Sequence, residues 1–243
     1  MTEEANVGSV GVNEELEKRL SRYATAATAA GVGLLAVTRS ADAKIIYTPA
    51  NINIPSNGGK IFLDLNHDGT ADFSFWNTYS NGRTTNATLG VAGPDQSNGV
   101  WGKGYWRSRV GHQYTLASAL KAGISVGSNQ AHLQNGPWIM VHRGTYPLGD
   151  SRLGTYTQVF SAGQWPYTNR RYLGLKFNVD GETHYGWARL DVGFEYPQHI
   201  EASITGYAYE TIPNKPIVTG KTEGPDVVTL PPATLGGLAL GRK

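Results

Sequence analysis

The chain is 243 residues long, contains no cysteine and carries a formal net charge of +2. The absence of cysteine excludes disulfide bonds, zinc–thiolate sites, iron–sulfur clusters and a cysteine nucleophile. A charge so close to neutral, with lysines and arginines scattered along the chain, argues against a nucleic-acid-binding protein. The 31 glycines, 13 tyrosines and 6 tryptophans, set against 16% charged residues, predict an all-β protein with many short strands.

Residues 1–43 have the order of a secretory leader. A charged start (14–22) precedes a small apolar run (24–37), which is shorter than the roughly 20 residues that span a bilayer. Ala41-Asp42-Ala43 then supplies the small-residue pattern of a signal-peptidase site, with cleavage after Ala43. The alternative is a retained N-terminal helix, which Asn13 would cap and which would contact a membrane through residues 23–43 or pack within an assembly.

Beyond residue 44 the sequence alternates short β-rich runs with clusters of glycine, asparagine and proline, as consecutive strands do. The clearest hairpin joins residues 172–179 to 183–192 through Asp180-Gly181, a pair that supplies the positive φ angles of a type I′ turn. The runs predict an all-β domain. Further strands are expected at 45–48, 60–64, 72–76, 138–143, 155–160 and 200–210.

The second strand of this hairpin has two different faces. Alternation places Ala188, Leu190 and Val192 on an apolar face, which is expected to meet the core. Tyr185 and Trp187 share the other face with charged residues, so that face is expected to be more polar.

One short helix is predicted in the body of the chain, at residues 115–122. Leu116 and Leu120 are spaced by four, and Gly123 follows as a C-terminal stop.

Residues 77–104 are polar and rich in glycine, and they are expected to form a surface excursion where a binding function could lie. Trp101 and Trp106 lie in this segment or just after it. Because aromatic faces stack on sugar rings, these two tryptophans are candidate ligand-binding aromatics.

The most specific motif is Asp64-Leu-Asn-His-Asp-Gly-Thr-Ala-Asp72, which places oxygen side chains at alternate positions of a tight loop. Such spacing wraps hard ligands around one Ca²⁺ ion. Asp64, Asn66 and Asp68 would supply side-chain oxygens, Thr70 its main-chain carbonyl, and Asp72 a carboxylate. Gly69 would permit the sharp turn, and His67 would point outward.

This motif is predicted to lie in a β-hairpin and not in an EF-hand, since strands flank it and Phe75 occupies the position of the bidentate glutamate. The spacing resembles the acidic loops of integrin-type propellers and other extracellular modules. With that glutamate absent, the expected dissociation constant for Ca²⁺ is on the order of 10⁻⁴ M or somewhat tighter. The alternative is a metal-free turn of Asp, Asn and Gly.

No nucleophile elbow, phosphate-binding loop or HExxH motif occurs in the sequence. The late hairpin carries Glu182, Asp191, Glu195 and Glu201, from which a glycosidase could draw its two carboxylates. We therefore expect no enzymatic activity, with a carbohydrate-binding module or a glycoside hydrolase of the cell envelope as the alternative.

Three motifs in order resemble a group of exported bacterial proteins to which no activity is assigned: IIYTPA at 45–50, LDLNHDGTADF at 63–73 and YGWARL at 185–190. The resemblance implies an envelope or extracellular location and a β-sandwich, expected to be of the jelly-roll or immunoglobulin-like kind. The segment from Leu230 to the C-terminus resembles a sorting signal of the PEP-CTERM type. Its glutamate is missing and its apolar stretch is short, so a simple flexible tail is the alternative.

The sequence thus predicts three regions: a leader or retained helix at 1–43, a β-sandwich domain at 44–221 with its calcium loop at 64–72, and a sorting-signal-like tail at 222–243. The predicted function is a non-catalytic extracellular or cell-surface protein of a bacterium, stabilised by Ca²⁺. Its partners would be copies of itself or surface glycans.

Overall fold

The structure is a computed structural model that describes residues 44–56, 58–82, 84–107, 113–128, 132–148, 156–195 and 199–233. The side chains of 106–107, 146–148 and 156–158 are not described. The leader or helix predicted for residues 1–43 lies outside the described residues.

Across the described residues the chain forms fifteen strands and no helix. The strands are β1 (Ile45–Asn53), β2 (Lys60–Leu63), β3 (Phe73–Ser80), β4 (Thr85–Ala92), β5 (Gly99–Arg107), β6 (Gln113–Ala117), β7 (Ser125–Val126), β8 (Leu133–Gln134), β9 (Trp138–Leu148), β10 (Tyr156–Ala162), β11 (Thr168–Val179), β12 (Glu182–Glu195), β13 (His199–Glu210), β14 (Ile217–Val218) and β15 (Val227–Thr229).

One mixed sheet contains thirteen of these strands, in the order β15-β1-β13-β12-β11-β5-β6-β9-β4-β3-β2, with β10 beside β9 and β8 beside β5. Strands β14 and β7 form a separate pair. The pairings β1–β15 and β6–β9 are parallel and the other pairings are antiparallel. The all-β class predicted from composition is confirmed.

The main sheet curls, because strands that lie far apart in its order contact each other. The side-chain amide of Asn77, on β3, donates to the carbonyl of Ile200, on β13, over 2.7 Å. Two residues further along β3, the ring of Tyr79 stacks on that of His199 with 3.7 Å between centroids. The main hydrophobic core lies on the inner side of this curl, where both ends of the sheet contribute apolar side chains.

The predicted hairpin is confirmed. Val179 pairs with Glu182, and the two residues between them have φ angles of 53° for Asp180 and 87° for Gly181. Positive φ at both positions is the signature of a type I′ turn. The turn therefore sets the register of β11 against β12, and β13 extends the same sheet as expected.

The two faces of β12 are both buried. Ala188, Leu190 and Val192 join the main core, as predicted. On the opposite face, Tyr185 and Trp187 are covered by a second apolar cluster and are not part of a polar outer surface. This cluster also includes Val126 of β7, Ile217 of β14 and Leu133 of β8, so short segments outside the central strands form a cover over the outer face of the sheet.

Strand β13 changes the direction of its side chains halfway. Arg189 pairs with Gly206 and Leu190 with Ile204, so Thr205 is an unpaired bulge residue. Ile204, which precedes the bulge, faces the main core, and Tyr207, which follows it at an odd-numbered position, also faces the main core. One extra residue therefore shifts the alternation of the strand by one position.

The predicted helix at 115–122 is wrong. Residues 113–117 form β6, which pairs with β5 on one side and β9 on the other. Beyond the strand, the amide and carbonyl of Leu120 bond to the backbone of Tyr172 at 2.9 and 3.0 Å. Gly123, with a φ of 84°, lies in a turn and ends no helix. Pairing on two sides outweighs the weak helical preference of so short a segment.

The surface excursion predicted for residues 77–104 is also wrong. This stretch contains the end of β3, all of β4 and much of β5. Ala87, Leu89 and Val91 are fully buried, so this polar-looking stretch supplies an inner face to the core. Because Thr88 and Gly90 separate these apolar residues, the composition suggested a loop where the alternation indicates a strand.

The sheet continues past residue 221, the predicted end of the domain. Strand β15 pairs with β1, and Ala233 bridges Ala50. The end of the predicted tail, residues 234–243, lies outside the described residues. No helix in the described part of the chain is long and apolar enough to cross a membrane.

Candidate calcium loop

The acidic motif closes the hairpin between β2 and β3. Leu63 and Phe73 form the last pair of this hairpin, so residues 64–72 make up the whole connection. Flanking strands were predicted from the sequence, and both are present. The motif is therefore a hairpin loop, as expected.

Asp64 organises the loop through its carboxylate. Its Oδ1 accepts hydrogen bonds from the amides of His67 and Asp68, at 2.7 and 3.2 Å, and its Oδ2 accepts one from Gly69 at 2.8 Å. His67 and Gly69 have φ angles of 64° and 90°, which turn the chain sharply enough to bring these amides together. One side chain thus stabilises three consecutive backbone amides of the loop.

The next polar side chains of the motif bond to each other. Asn66 donates its side-chain amide to Oδ2 of Asp68 at 2.8 Å, and Oδ1 of Asp68 accepts the amide of Thr70 at 2.7 Å. Asp68 and Thr70 are exposed, and Asn66 is half-buried. This part of the loop therefore faces solvent.

Asp72 is the buried member of the motif, with only 5% of its surface exposed. Its Oδ2 accepts the amide of Leu65 at 2.7 Å. The pKa of this carboxyl is raised to about 7, mainly by burial and also by the nearby charges of Asp64 and Asp68, while the hydrogen bonds from Leu65 and Asn66 oppose the shift. A negative charge at Asp72 is therefore costly unless a cation compensates it.

The loop is docked onto strands from the opposite end of the sheet. Leu65 is buried against Gly186 of β12, where a Cβ atom would lie 2.5 Å from its Cδ2. His67 remains exposed, but its ring does not point away from the domain: Nε2 lies 3.0 Å from the hydroxyl oxygen of Thr48, on β1. Desolvation lowers the pKa of His67, partly opposed by the charge of Asp64.

A buried hydroxyl group next to the loop makes no well-formed hydrogen bond with the described residues, although the Thr48 side chain is close enough to lower its pKa. Tyr207 is fully buried, its ring lies 5.7 Å from that of His67, and its hydroxyl makes no hydrogen bond within the described part of the chain. Burial raises the pKa of Tyr207 to about 12, and the charge of Asp64 contributes. Burial and the loop carboxylates also raise the pKa of Tyr209. An unpaired buried hydroxyl group is costly and is often satisfied by a water molecule or ion.

The donor chemistry of the loop fits Ca²⁺, because every candidate ligand is an oxygen atom and three of the residues are carboxylates. The side-chain arrangement fits less closely. Within the described residues, no three histidine, aspartate or glutamate side chains form a group that could hold a metal ion. The carboxylate of Asp64 faces backbone amides, and Asn66 and Asp68 would have to give up their mutual bond to coordinate a cation.

Of the two tryptophans proposed from the sequence, Trp101 gives no exposed platform. Trp101 is half-buried and packs against the second apolar cluster. The side chain of Trp106 lies outside the described part of the structure. The carboxylates proposed for a glycosidase are poorly placed to act as a pair. Glu182 and Glu195 lie at opposite ends of β12, and Asp191 accepts the amide of Arg170 at 2.6 Å.

A different aromatic group is exposed, and sequence reasoning missed it. Tyr167 is 69% exposed and has a φ of 55°, a strained value for a bulky residue. Nη1 of Arg143 donates to its hydroxyl at 3.2 Å, and Phe194 lies 4.8 Å from its ring. The Arg143 guanidinium group also lies 4.7 Å from the centre of the Phe194 ring. Arg143 and Phe194 come from different strands and Tyr167 from the turn before β11, so no local motif could have revealed the cluster.

Comparisons of the chain with protein-family models, with curated proteins and with solved structures find no match. The functional argument therefore depends on the residues and contacts described above.

Proposed function

We propose that this chain is an exported, non-catalytic structural or binding protein of the bacterial surface or exterior, in which Ca²⁺ held by Asp64, Asn66, Asp68, Thr70 and Asp72 stabilises the fold. The single observation that carries the proposal is the docking of an acidic hairpin loop onto strands from the far end of the sheet. A loop in this place acts on the fold as a whole, because it joins segments that are not neighbours in the sheet.

The contacts of the loop support the role of a clamp. Leu65 anchors the β2–β3 hairpin on β12, and the bond between His67 and Thr48 links it to β1. The three carboxylates repel one another in the absence of a cation, and the buried Asp72 is the most costly of them to ionise. Bound Ca²⁺ would offset that repulsion and favour the charged form of Asp72, so binding would strengthen the attachment.

We further propose that the curled sheet forms a β-sandwich of the jelly-roll or immunoglobulin-like kind. The ring stack between Tyr79 and His199 supports this architecture, as does the contact of Arg143, on β9, with Phe194, on β12. Both contacts join strands that are not neighbours in the sheet and that come from its two halves. A sandwich needs such contacts between its inner faces.

Export and self-assembly remain proposals that depend on residues 1–43. The order of charged start, apolar run and small-residue site supports export. If the segment is retained, its apolar helix needs a buried surface, and another copy of the chain could provide one. Intact mass of the secreted protein distinguishes the two cases, since cleavage after Ala43 removes the whole segment.

The direct test of the calcium proposal is calorimetric titration of Ca²⁺ into the full chain after treatment with a chelator. We expect one site with a dissociation constant on the order of 10⁻⁴ M, and a gain of roughly 2.7 kcal/mol in unfolding free energy at a hundredfold excess over that constant. Mg²⁺, which demands a more rigid octahedral site, should bind more weakly. No heat with Ca²⁺ and no change in melting temperature would refute the proposal.

A second candidate function is carbohydrate binding, favoured by the exposed ring of Tyr167 and its contacts with Arg143 and Phe194. A ring that is already held in place can stack on a sugar at a lower entropic cost. A glycan array with the wild-type chain and a Tyr167→Ala variant tests this function. Tyr105, which is 60% exposed, supplies the control substitution Tyr105→Ala. Turnover of any glycan in a parallel hydrolysis assay would contradict the non-catalytic proposal.

A further inference from the structure

Asn98 connects the candidate calcium loop to another part of the fold. It lies just before β5 and is only 4% exposed. Its side-chain Nδ2 donates to the main-chain carbonyl of Asp72 at 2.8 Å, and its Oδ1 accepts the amide of Asn178 at 3.2 Å. One buried side chain therefore joins the end of the loop to β11.

The backbone of Asn98 is itself held in place. Its main-chain amide donates to the carbonyl of Asp95 at 3.1 Å, and its main-chain carbonyl accepts Nδ2 of Asn135 at 3.1 Å. Gly93 packs so closely that a Cβ atom there would lie 2.6 Å from the Cβ of Asn98. With both backbone groups bonded and the Cβ enclosed, Asn98 has little freedom to move away from Asp72.

At Asp72 the bond from Asn98 differs from the contacts made within the β2–β3 hairpin. The amide of Asp72 donates to the carbonyl of Leu63 at 2.9 Å, and its carboxylate accepts the amide of Leu65 at 2.7 Å. Both of those partners belong to the β2–β3 hairpin and move with it. The bond to the carbonyl comes from outside the hairpin, so it fixes the orientation of Asp72 relative to the rest of the sheet.

We propose that Asn98 is a positioning residue for the candidate cation site, which it serves by fixing the backbone of Asp72. This inference rests on the proposed function. Without the donor of Asn98, the peptide group after Asp72 is free to rotate, and the carboxylate loses its fixed direction towards the loop. The affinity for Ca²⁺ therefore depends on a residue outside the loop motif.

Further hydrogen bonds connect Asn98 to the β11–β12 turn. Asn178, whose backbone bonds to Asn98, also accepts the amide of Gly181 on its own side-chain oxygen at 2.8 Å. Three hydrogen bonds in series thus connect Asp72 to the turn that sets the register of the central hairpin. This short connection explains how the loop can be fixed relative to strands that are distant in the sequence.

The test compares Asn98→Ala with Asn77→Ala in the full chain. Asn77 is a matched control, because it is also buried and donates Nδ2 to main-chain carbonyls, those of Ile54 and Ile200. It lies on β3 at five residues from Asp72, or roughly 16 Å at about 3.3 Å per residue. Both variants should melt at a lower temperature than the wild type in chelator.

Only Asn98→Ala should bind Ca²⁺ about tenfold more weakly by calorimetry, the loss expected for one buried hydrogen bond that orients a ligand. Asn77→Ala should stay within about twofold of the wild type, since its bonds do not reach the loop. Equal affinities for Asn98→Ala and the wild type, or equal weakening in both variants, would overturn the inference.

If Asn98→Ala does not fold, Asn98→Ser leaves a smaller void and decides the question by the same criterion. An absence of Ca²⁺ binding in the wild type is a separate result, because it refutes the calcium proposal itself.

Discussion

The two ends of β3 are held by different kinds of interaction. At its start, Asp72 and the rest of the acidic loop are fixed by hydrogen bonds between carboxylates and backbone amides. At its end, Tyr79 is fixed by stacking on His199. Both ends contact the opposite end of the sheet, so the same strand is attached there by polar contacts at one point and by aromatic contacts at another.

This difference has a physical consequence. The stack of Tyr79 on His199 contains no carboxylate, so it does not depend on a bound cation. The loop end contains three carboxylates, one of them buried, and its stability must respond to protons and cations. Cations should therefore tighten the loop end of β3 and leave the other end unaffected.

The largest expected effect comes from Asp64→Ala. The substitution leaves three loop amides without their acceptor, a loss of about 2 kcal/mol, and it removes a ligand that is needed for Ca²⁺. In excess Ca²⁺ the total loss in unfolding free energy should reach about 4 kcal/mol, measured by urea denaturation. Asp95→Ala is the control, because Asp95 also caps a turn, through bonds to Ser97, but lies outside the acidic motif. A variant that keeps wild-type calcium affinity would contradict the ligand assignment.

The second expected effect is a pH dependence in chelator. The pKa of Asp72 is about 7 in the fold against 3.8 as its ordinary value. Between these values the folded state keeps a proton that the unfolded chain has lost, so stability falls as the pH rises from about 4 to about 7. At about 1.4 kcal/mol per unit, the total change is at most roughly 4 kcal/mol.

Asp72→Asn isolates this effect, because it keeps an acceptor for Leu65 but cannot titrate. Desolvation lowers the pKa of His67 and His142, so their contributions to stability are lost as the pH falls below about 6.5. Both proteins share these two contributions, and they cancel in the difference between the denaturation curves. A wild type and an Asp72→Asn variant with parallel pH profiles would show that the carboxyl group is not perturbed.

The smallest expected effect is that of Tyr79→Ala at the other end of β3. Loss of the ring and of its stack on His199 should cost about 2 kcal/mol, since Tyr79 is half-buried. The affinity for Ca²⁺ and the pH profile should stay unchanged. If the substitution weakens calcium binding, the two ends of β3 are coupled and the distinction between them fails.

Local patterns were sufficient to predict much of this fold. Asp180-Gly181 determines a turn by its own backbone preferences, and the acidic motif carries its turn residues within the loop, so both were found from sequence. The all-β class likewise followed from composition. In each case the determining interaction lies within a few residues along the chain.

The predictions that failed concern features determined by contacts between residues that are remote in the sequence. The segment at 115–122 looks helical when it is considered alone, and only pairing with β5, β9 and Tyr172 makes it extended. The burial of Trp187 follows from a cover formed by β7 and β14, and a strand pattern contains no information about such a cover. The contribution of Asn98 to the loop was invisible for the same reason, because its partners are remote in the sequence.

The bulge at Thr205 restricts how this protein can change over time. Because it shifts the side-chain alternation of β13 by one residue, deleting it would turn Tyr207 away from the loop and towards the outer cluster. Losing one residue there would exchange the two cores, whereas losing two would preserve the facing of each side chain. Changes in the length of this strand should therefore preserve the two cores only when they involve an even number of residues.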